Sequence, residues 1–165
     1  MFDPKSGVSE VKSVGPYRQP MAAKRTAQAV WDHDLIHGQG TVKGTSGALP
    51  EVPVSWASRT EAPGGKTSPE ELLAAAHASC FSMALSAGLG RMQKPPEKLN
   101  VSATATFDKV GDAWKVTTME LEVTGKVPGI TQAQFEEAAK AASQGCPISA
   151  ALKGNVAISV RAKLA

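Results

Sequence analysis

The sequence has few cysteines, few aromatic residues and no clustered charge. It contains two cysteines among 165 residues, and aromatic residues make up 5% of the chain. Two cysteines without an apolar export signal are too few for a secreted domain held by disulfides, so both are interpreted as thiols in the cytoplasm. A net charge of +3 without a run of like charges, together with the scarcity of aromatics, argues against nucleic-acid binding.

The sequence also lacks a convincing membrane span. The most apolar stretch, residues 72–89, is interrupted by His77 and by four serines or glycines, whereas a span needs about 20 predominantly apolar residues. We interpret this stretch as a core helix and expect no membrane association. Hydrophobic residues at 42% and charged residues at 20% are typical of a soluble globular protein.

We divide the chain into an N-terminal extension, residues 1–25, and one domain, residues 26–165. The extension is polar and contains Gly15, Pro16 and Pro20, so it is interpreted as a flexible arm or an appended segment. The remaining length is enough for one domain with a real core and too short for two.

Within the domain, alternating residues predict strands, and capping residues followed by apolar runs predict helices. Pro53 places the third predicted strand at a sheet edge, because proline cannot donate a ladder hydrogen bond. The order of strands, buried helix, strands, helices and a last strand indicates an α+β fold. Strands are predicted over 27–31, 38–47 (as a hairpin), 52–59, 99–110, 114–127 and 156–164, and helices over 68–90, 131–145 and 147–153.

The longest predicted helix has the clearest start in the chain. Ser68 is suited to the N-cap, Pro69 to the first helical position, and Glu71 completes a capping box. The helix that follows is apolar on nearly every face, which predicts that it is buried on all sides.

Cys80 lies in the middle of this helix. Burial in apolar surroundings raises the pKa of a thiol, so Cys80 needs a nearby cation to act as a nucleophile. The candidates are His77, one helical turn earlier, and the arginines Arg59 and Arg91. From the residues alone, His77 is equally well explained as an activating group or as a packed core side chain.

Cys146 has a different local setting. It occupies the N-cap position of a short helix that begins with Pro147, and a helix N-terminus lowers the pKa of a thiol. Local physics therefore favours Cys146 as the more acidic of the two thiols. The alternative is that Gly145, Cys146 and Pro147 only form a tight turn between helices.

Glu70 and Glu71 are the remaining candidates. Acidic residues in a first helical turn complement the helix dipole in any protein, and the capping box accounts for Glu71. Glu70 lies ten residues before Cys80, which is about 15 Å along a continuous helix. If Glu70 has a catalytic role, it must therefore serve the thiol of a neighbouring subunit.

Two segments, SPEELLAAAHASCFSMAL and GCPISAAL, resemble the OsmC/Ohr family of organic hydroperoxide peroxidases, and the form HASCFSMAL is closer to the OsmC branch. The resemblance extends from about residue 27 to the C-terminus. It also includes the segments GTVKGTSGAL, WASRTE and DKVGDAWKVTTMELEV.

The resemblance implies an intertwined homodimer, with antiparallel sheets around long buried central helices and active sites at the subunit interface. It implies that Cys80 is the peroxidatic thiol and Cys146 the resolving thiol, which reverses the ranking that local physics favours. The arginine and glutamate of the family motif correspond to Arg59 and Glu70.

The implied chemistry is that of an antioxidant peroxidase. Cys80 attacks an organic hydroperoxide and becomes a sulfenic acid, Cys146 converts it to a disulfide, and a dithiol, of lipoyl type by resemblance, restores both thiols. Arg59 favours the thiolate and polarises the peroxide, and Glu70 holds the guanidinium. We expect an apolar pocket beside Cys80, lined by Phe81, Met83 and residues of the partner subunit, that favours alkyl hydroperoxides over hydrogen peroxide. The chemistry requires no metal or organic cofactor.

Three other functions remain open. A redox sensor or thiol–disulfide oxidoreductase would use the same two cysteines, although the sequence has no C-x-x-C motif. A non-enzymatic module could hold an apolar ligand in the dimer cleft. A zinc site is the weakest hypothesis, because the two cysteines and three histidines do not have the spacing of zinc ligands.

Overall fold

Residues 22–165 of the protein are described by a computed structural model. This part of the chain has an α+β fold with two three-stranded sheets. Residues 1–21 lie outside the described residues, so the N-terminal extension over 1–25 stays a prediction. The elements in chain order are β1 (Ala27–Asp32), β2 (Gln39–Gly44), β3 (Val52–Ser55), α1 (Ala57–Thr60), α2 (Pro69–Arg91), β4 (Lys98–Val110), β5 (Ala113–Lys126), α3 (Gln132–Gly145), α4 (Pro147–Leu152) and β6 (Ala157–Leu164).

The first sheet is antiparallel and has the order β1-β2-β3. Pro53 lies on the edge strand β3, as predicted. This strand ends at Ser55 rather than at Arg59, so the predicted strand over 52–59 is too long. The backbone turns because the N–H of Ser55 donates to Ser58 Oγ at 3.1 Å and the N–H of Ser58 donates to Ser55 Oγ at 3.2 Å. Arg59 consequently lies on the short helix α1.

The second sheet is mixed rather than antiparallel. The predicted long hairpin is present, since β4 and β5 pair antiparallel from Lys98 with Lys126 to Val110 with Ala113. Strand β6, however, pairs with β5 in parallel. The chain crosses from β5 to β6 through α3 and α4, and a crossover of this length is what parallel pairing requires. The expectation of antiparallel sheets is therefore wrong for β6.

Helix α2 begins as predicted but with half of a capping box. The hydroxyl of Ser68 accepts a hydrogen bond from the N–H of Glu71 at 3.1 Å, and Pro69 occupies the first turn. The carboxylate of Glu71 does not accept a hydrogen bond from the backbone N–H of Ser68, as a complete capping box requires. It accepts one from the hydroxyl of Thr67 at 2.6 Å instead. Helix α3 has the complete capping box at Thr131 and Gln134.

One face of α2 forms the core with the second sheet and α3. Phe81, Leu85 and Leu89 project from this face and are fully buried, together with Leu121 of β5 and Phe135 of α3. Val101 and other partly buried side chains of the sheet pack around them.

The opposite face of α2 is exposed in the single chain, so one chain alone does not bury the helix on all sides. In the most apolar 18-residue window of the helix, 28% of the residues are buried. Between residues 72 and 90, the exposed residues repeat every three or four positions and are small or apolar. They are Ala75, Ala76, Ser79, Met83, Ser86, Ala87 and Gly90. By length and composition α2 also qualifies as a membrane span, a criterion that core helices meet as well.

Candidate active site

The two cysteines, 66 positions apart in the sequence, lie side by side. Helix α4 packs against α2, and Cys80 Sγ is 3.0 Å from Cys146 Sγ. Both are free thiols. The sulfur atoms of a disulfide are about 2.05 Å apart, so a movement of about 1 Å would join them.

The two thiols differ in exposure. Cys146 is fully buried, whereas Cys80 is partly exposed. Cys80 lies at the border of the exposed face of α2, because Ala76 and Met83, one turn to either side, are both exposed. A molecule that arrives from solvent therefore reaches Cys80 first.

The thiols also differ in acidity. Burial raises the pKa of Cys80, and the hydrogen bond with Cys146 raises it further. Burial opposes ionisation of Cys146 as well, but the contact with Cys80 and the polar groups of Ile148 and Ser149 at the start of α4 outweigh it and lower the pKa of Cys146. In the single chain Cys146 is the more acidic thiol, as its position at the N-terminus of α4 indicates.

Arg59 and Glu70 form a two-point ion pair. Arg59 Nη2 donates to Glu70 Oε1 at 2.6 Å, and Arg59 Nε donates to Glu70 Oε2 at 3.1 Å. The side chain of Glu70 is 9% exposed and that of Arg59 is 28% exposed. A carboxylate buried to this degree needs its partner, because an unpaired buried charge is costly. Glu70 thus fixes the plane of the guanidinium.

Two aromatic rings lie against this guanidinium, and a third packs on them. Arg59 Cζ is 4.2 Å from the centre of the Phe107 ring and 5.6 Å from that of Trp56. Trp114 stacks on Phe107 with a centroid distance of 5.0 Å. A bulge in the β4–β5 pairing follows Thr106, directly before Phe107, and such irregularities redirect nearby side chains. Phe107 and Trp114 were not predicted as site residues, because no local sequence pattern shows that the end of the β4–β5 hairpin lies beside Arg59.

Arg59 lies between two cavities. One, of about 350 Å³, also has Lys66, Glu70 and Phe107 in its wall. The other, of about 360 Å³, is largely apolar and is lined by Trp31, Leu35, Val54, Ser55, Trp56, Arg59 and Pro69. Neither cavity has a cysteine in its wall.

The structure does not bring the ion pair to the thiols of the same chain. Helix α2 is unbroken from Pro69 to Arg91, so Glu70 and Cys80 are about 15 Å apart along it. Arg91 is eleven residues beyond Cys80 on the same helix, which is about 16 Å. Within one chain, neither arginine is placed to stabilise the Cys80 thiolate.

His77 is directed to a different partner. Its Nε2 atom is 2.8 Å from Ser149 Oγ, and its Nδ1 atom is buried without a hydrogen-bond partner. Burial lowers the pKa of His77, which favours the neutral ring. Its hydrogen bond is to the residue that borders Cys146, not to Cys80.

Phe81 and Met83, expected to line an apolar pocket beside Cys80 with residues of the partner subunit, do not form a common wall in the single chain. Phe81 is fully buried in the core and Met83 is exposed on the opposite face of α2, so the two side chains do not share a wall. A largely apolar cavity lies beside Arg59. Among residues 22–165, no three His, Cys, Asp or Glu side chains gather in a group that could hold a metal ion.

A model of the OsmC-like protein family matches residues 62–161. The chain belongs to this family. The matched segment contains Glu70, Cys80 and Cys146 and begins three residues after Arg59. Family membership confirms the resemblance that the two cysteine segments indicate.

Among OsmC-like proteins, the chain is 38% identical to the peroxiredoxin OsmC of Escherichia coli over 143 residues, 87% of this chain and 99% of the relative. It is 29% identical to an organic hydroperoxide resistance protein of Xanthomonas axonopodis over 98 residues, 59% of this chain and 67% of the relative. The crystal structure of an organic hydroperoxide resistance protein OsmC from Legionella pneumophila shares the fold, with a TM-score of 0.68, 24% identity and coverage of 86% of this chain and 99% of that one.

Proposed function

We propose that this protein is a thiol-dependent peroxidase that reduces organic hydroperoxides to alcohols. The observation that carries the proposal is the contact between a partly exposed thiol, Cys80, and a fully buried one, Cys146, at 3.0 Å. The names of the relatives, a peroxiredoxin and an organic hydroperoxide resistance protein, support the same chemistry. We also propose a cytoplasmic location, because two free thiols suit a reducing compartment.

In the first step, the Cys80 thiolate attacks the terminal oxygen of the hydroperoxide. The O–O bond breaks, an S–O bond forms, and the alkoxide takes up a proton and leaves as an alcohol. Cys80 is oxidised to a sulfenic acid. Its partial exposure makes it the thiol that a peroxide can reach, and this accessibility outweighs the lower pKa of the buried Cys146.

In the second step, the Cys146 thiolate attacks the sulfur of the sulfenic acid. A disulfide forms, and hydroxide leaves and is protonated to water. Because Cys146 is already in contact with Cys80 and has a lowered pKa, disulfide formation can precede further oxidation to sulfinic acid. A dithiol, of lipoyl type by resemblance, then reduces the disulfide by exchange and is itself oxidised. No step needs a metal or an organic cofactor.

The mechanism also needs a cation beside Cys80, and we propose that the partner subunit of an intertwined homodimer supplies it. Burial raises the pKa of Cys80 in the single chain, and Arg59 is not placed to counteract this within that chain. A second copy that covers the exposed face of α2 would reach the border where Cys80 lies. It would place the partner's ion pair near the thiol, and a neighbouring positive charge favours the thiolate.

In this assembly Arg59 and Glu70 have separate roles. Arg59 stabilises the Cys80 thiolate and polarises the peroxide through N–H groups that do not bond to Glu70. Glu70 holds the guanidinium in its plane by the two-point ion pair. The apolar cavity beside Arg59, with Trp31 and Leu35 in its wall, would accept the alkyl group of the substrate and favours organic peroxides over hydrogen peroxide.

The proposal is tested by following consumption of cumene hydroperoxide and of hydrogen peroxide, with dihydrolipoamide as the reductant. The wild-type protein should consume the organic peroxide faster, and Cys80→Ser should abolish the reaction. Consumption by the wild type no faster than by Cys80→Ser would reject the peroxidase function.

The same thiol pair also suits a redox sensor or a thiol–disulfide oxidoreductase, since a disulfide between Cys80 and Cys146 needs little movement. In that case one equivalent of peroxide would be consumed, and the disulfide would persist in the presence of the dithiol. Repeated turnover would favour the peroxidase.

A further inference from the structure

Helix α4, which carries Cys146 at its N-cap, has little apolar packing to hold it in place. Of its six residues, Pro147–Leu152, Ser149 alone is buried. Ile148 and Leu152, its largest apolar side chains, are only partly buried. A helix of this length is not stable on its own in water. The position of the Cys146 sulfur therefore depends on the few tertiary contacts that α4 makes.

Among the described residues, two side-chain hydrogen-bond contacts join the α4 segment to α2. Cys146 Sγ lies 3.0 Å from Cys80 Sγ, and Ser149 Oγ lies 2.8 Å from His77 Nε2. His77 precedes Cys80 by three residues, and Ser149 follows Cys146 by three residues. Because residues three apart share a helix face, the two contacts lie about one turn apart and join the two segments in antiparallel order.

The contact between His77 and Ser149 is buried. His77 is fully buried and Ser149 is 6% exposed, and a serine hydroxyl can donate or accept, so the hydrogen bond forms with either tautomer of the ring. The other ring nitrogen, Nδ1, is buried without a partner. An unpartnered buried polar atom costs stability, and an apolar pair of the same shape could replace both groups at little cost. Precise placement of α4 explains this contact better than stability does.

The backbone of α4 links Ser149 to Cys146. The N–H of Ala150 donates to the carbonyl of Cys146 at 3.0 Å, and the N–H of Lys153 donates to the carbonyl of Ser149 at 3.0 Å. These hydrogen bonds make Cys146 and Ser149 parts of one helical unit. Holding Ser149 against His77 therefore also holds the Cys146 sulfur against Cys80, whereas the sulfur contact alone would leave α4 free to rotate about it.

We propose that the hydrogen bond between His77 and Ser149 is a latch that keeps α4 closed on α2, with Cys146 buried and in contact with Cys80. His77 is a positioning residue, because it acts through Ser149 and the helix that carries it. The latch favours attack of the Cys146 thiolate on the Cys80 sulfenic acid, in which an S–S bond forms, the S–O bond breaks and the departing hydroxide is protonated to water, over a second oxidation by peroxide. That role rests on the proposed peroxidase function, whereas the closure of α4 does not.

The test measures how fast N-ethylmaleimide labels Cys146 in a Cys80→Ser background, which leaves one thiol. Cys146 is fully buried, so the reagent reaches it when α4 opens, and the rate follows the population of the open form. Ser149→Ala and His77→Phe should each accelerate labelling by roughly threefold to tenfold, the effect of losing one buried hydrogen bond. The double variant should label no faster than the faster single variant, because both changes remove the same contact. Ser149→Thr keeps the hydroxyl and should label at the rate of the background.

Ser143→Ala is the matched control. Ser143 is also buried and lies three residues before Cys146, at the end of α3, and its replacement should leave the labelling rate unchanged. Low concentrations of urea should not alter the acceleration in Ser149→Ala, because opening one short helix exposes far less surface than global unfolding does. Unchanged labelling in Ser149→Ala and His77→Phe, equal acceleration in Ser143→Ala, or a urea dependence as steep as that of global unfolding would overturn the proposal.

A second measurement separates the latch from the peroxidase function. With both thiols present and an excess of cumene hydroperoxide, Ser149→Ala should accumulate more Cys80 sulfinic acid per turnover than Ser149→Thr. If peroxide is consumed but the two variants accumulate equal amounts, the role of the latch in disulfide formation is rejected. If the protein consumes no peroxide but labelling accelerates as described, the peroxidase function is rejected and the latch stands.

Discussion

Glu70 and Cys80 lie ten residues apart on one unbroken helix, about 15 Å from each other along its axis. The carboxylate of Glu70 holds Arg59 by two hydrogen bonds. Because Glu70 and Cys80 are separated along the same helix, the ion pair lies far from the Cys80 thiol of the same chain. A peroxidase site that uses all three side chains must be built from two copies of the chain.

Replacing Arg59 by alanine should slow consumption of an organic hydroperoxide by about 100-fold, the loss typical when one aligned donor to a developing charge is removed. Because the cation that favours the Cys80 thiolate is lost, alkylation of Cys80 should also shift to higher pH. Peroxide consumption and the alkylation profile, the latter in a Cys146→Ser background, measure the two effects.

Arg161→Ala is the matched control for this change. Arg161 also pairs with a glutamate, since its Nη1 donates to Glu122 Oε1 at 3.1 Å, but it is far more exposed. An exposed pair contributes little to stability, so this variant should retain wild-type rates. Equal rates in both variants would remove Arg59 from the site.

Phe107→Leu should loosen Arg59 without removing its charge. The ring centre is 4.2 Å from Arg59 Cζ, and a cation–π contact that is partly desolvated contributes about 1–2 kcal/mol. We expect a roughly fivefold to thirtyfold lower rate with the organic hydroperoxide. Val110→Ala, at the exposed end of the same hairpin, is the control, and a loss of similar size in both variants would assign the effect to the hairpin rather than to the ring.

Met83→Glu should prevent dimer formation. Met83 is 66% exposed at the centre of the uncovered face of α2, and covering an unpaired carboxylate costs several kcal/mol. Sedimentation velocity should show a dimer for the wild type and a monomer for the variant, with loss of peroxidase activity. Val110→Glu places the same charge at an exposed apolar site on the hairpin and should leave the dimer intact. A monomeric wild type would contradict the shared site.

Cys146→Ser should prevent repeated catalytic turnover and expose Cys80 to over-oxidation. Without a resolving thiol, the Cys80 sulfenic acid persists and a second peroxide converts it to sulfinic acid. Mass spectrometry after increasing doses of peroxide should find two added oxygen atoms on Cys80, whereas the wild type forms a disulfide. If the Cys80→Ser variant were oxidised at Cys146 as rapidly as the wild type is at Cys80, the two roles would be reversed.

Much of the fold follows from local patterns in the sequence. Ser68 and Thr131 mark the starts of α2 and α3 because N-capping depends on residues within one turn. The strict alternation of β4 and β5 likewise predicts the long hairpin. The position of Cys146 at the start of α4 also predicts its lower pKa relative to Cys80, because the N-terminal N–H groups are a local property of a helix.

Most of the features that were missed depend on distant parts of the chain, and the early end of β3 is a local exception. The alternation of residues 52–59 resembles a strand, and only the paired hydrogen bonds of Ser55 and Ser58 end it early. The parallel pairing of β6, the rings around Arg59 and the contact of His77 with Ser149 each join residues dozens of positions apart. The residues of α2 show that the helix is apolar on nearly every face. They do not show that the rest of the same chain packs against only one of those faces.

The central claim is that one copy supplies Cys80 and Cys146 and the other supplies Arg59 and Glu70. It is tested by peroxidase assays on mixed dimers of Arg59→Ala and Cys80→Ser subunits, purified through a different tag on each subunit. Each variant alone should be nearly inactive. The mixed dimer should recover about half of the wild-type activity, because one of its two symmetric sites combines an intact Cys80 with an intact Arg59. A purified mixed dimer as inactive as its parents would contradict a site shared between subunits.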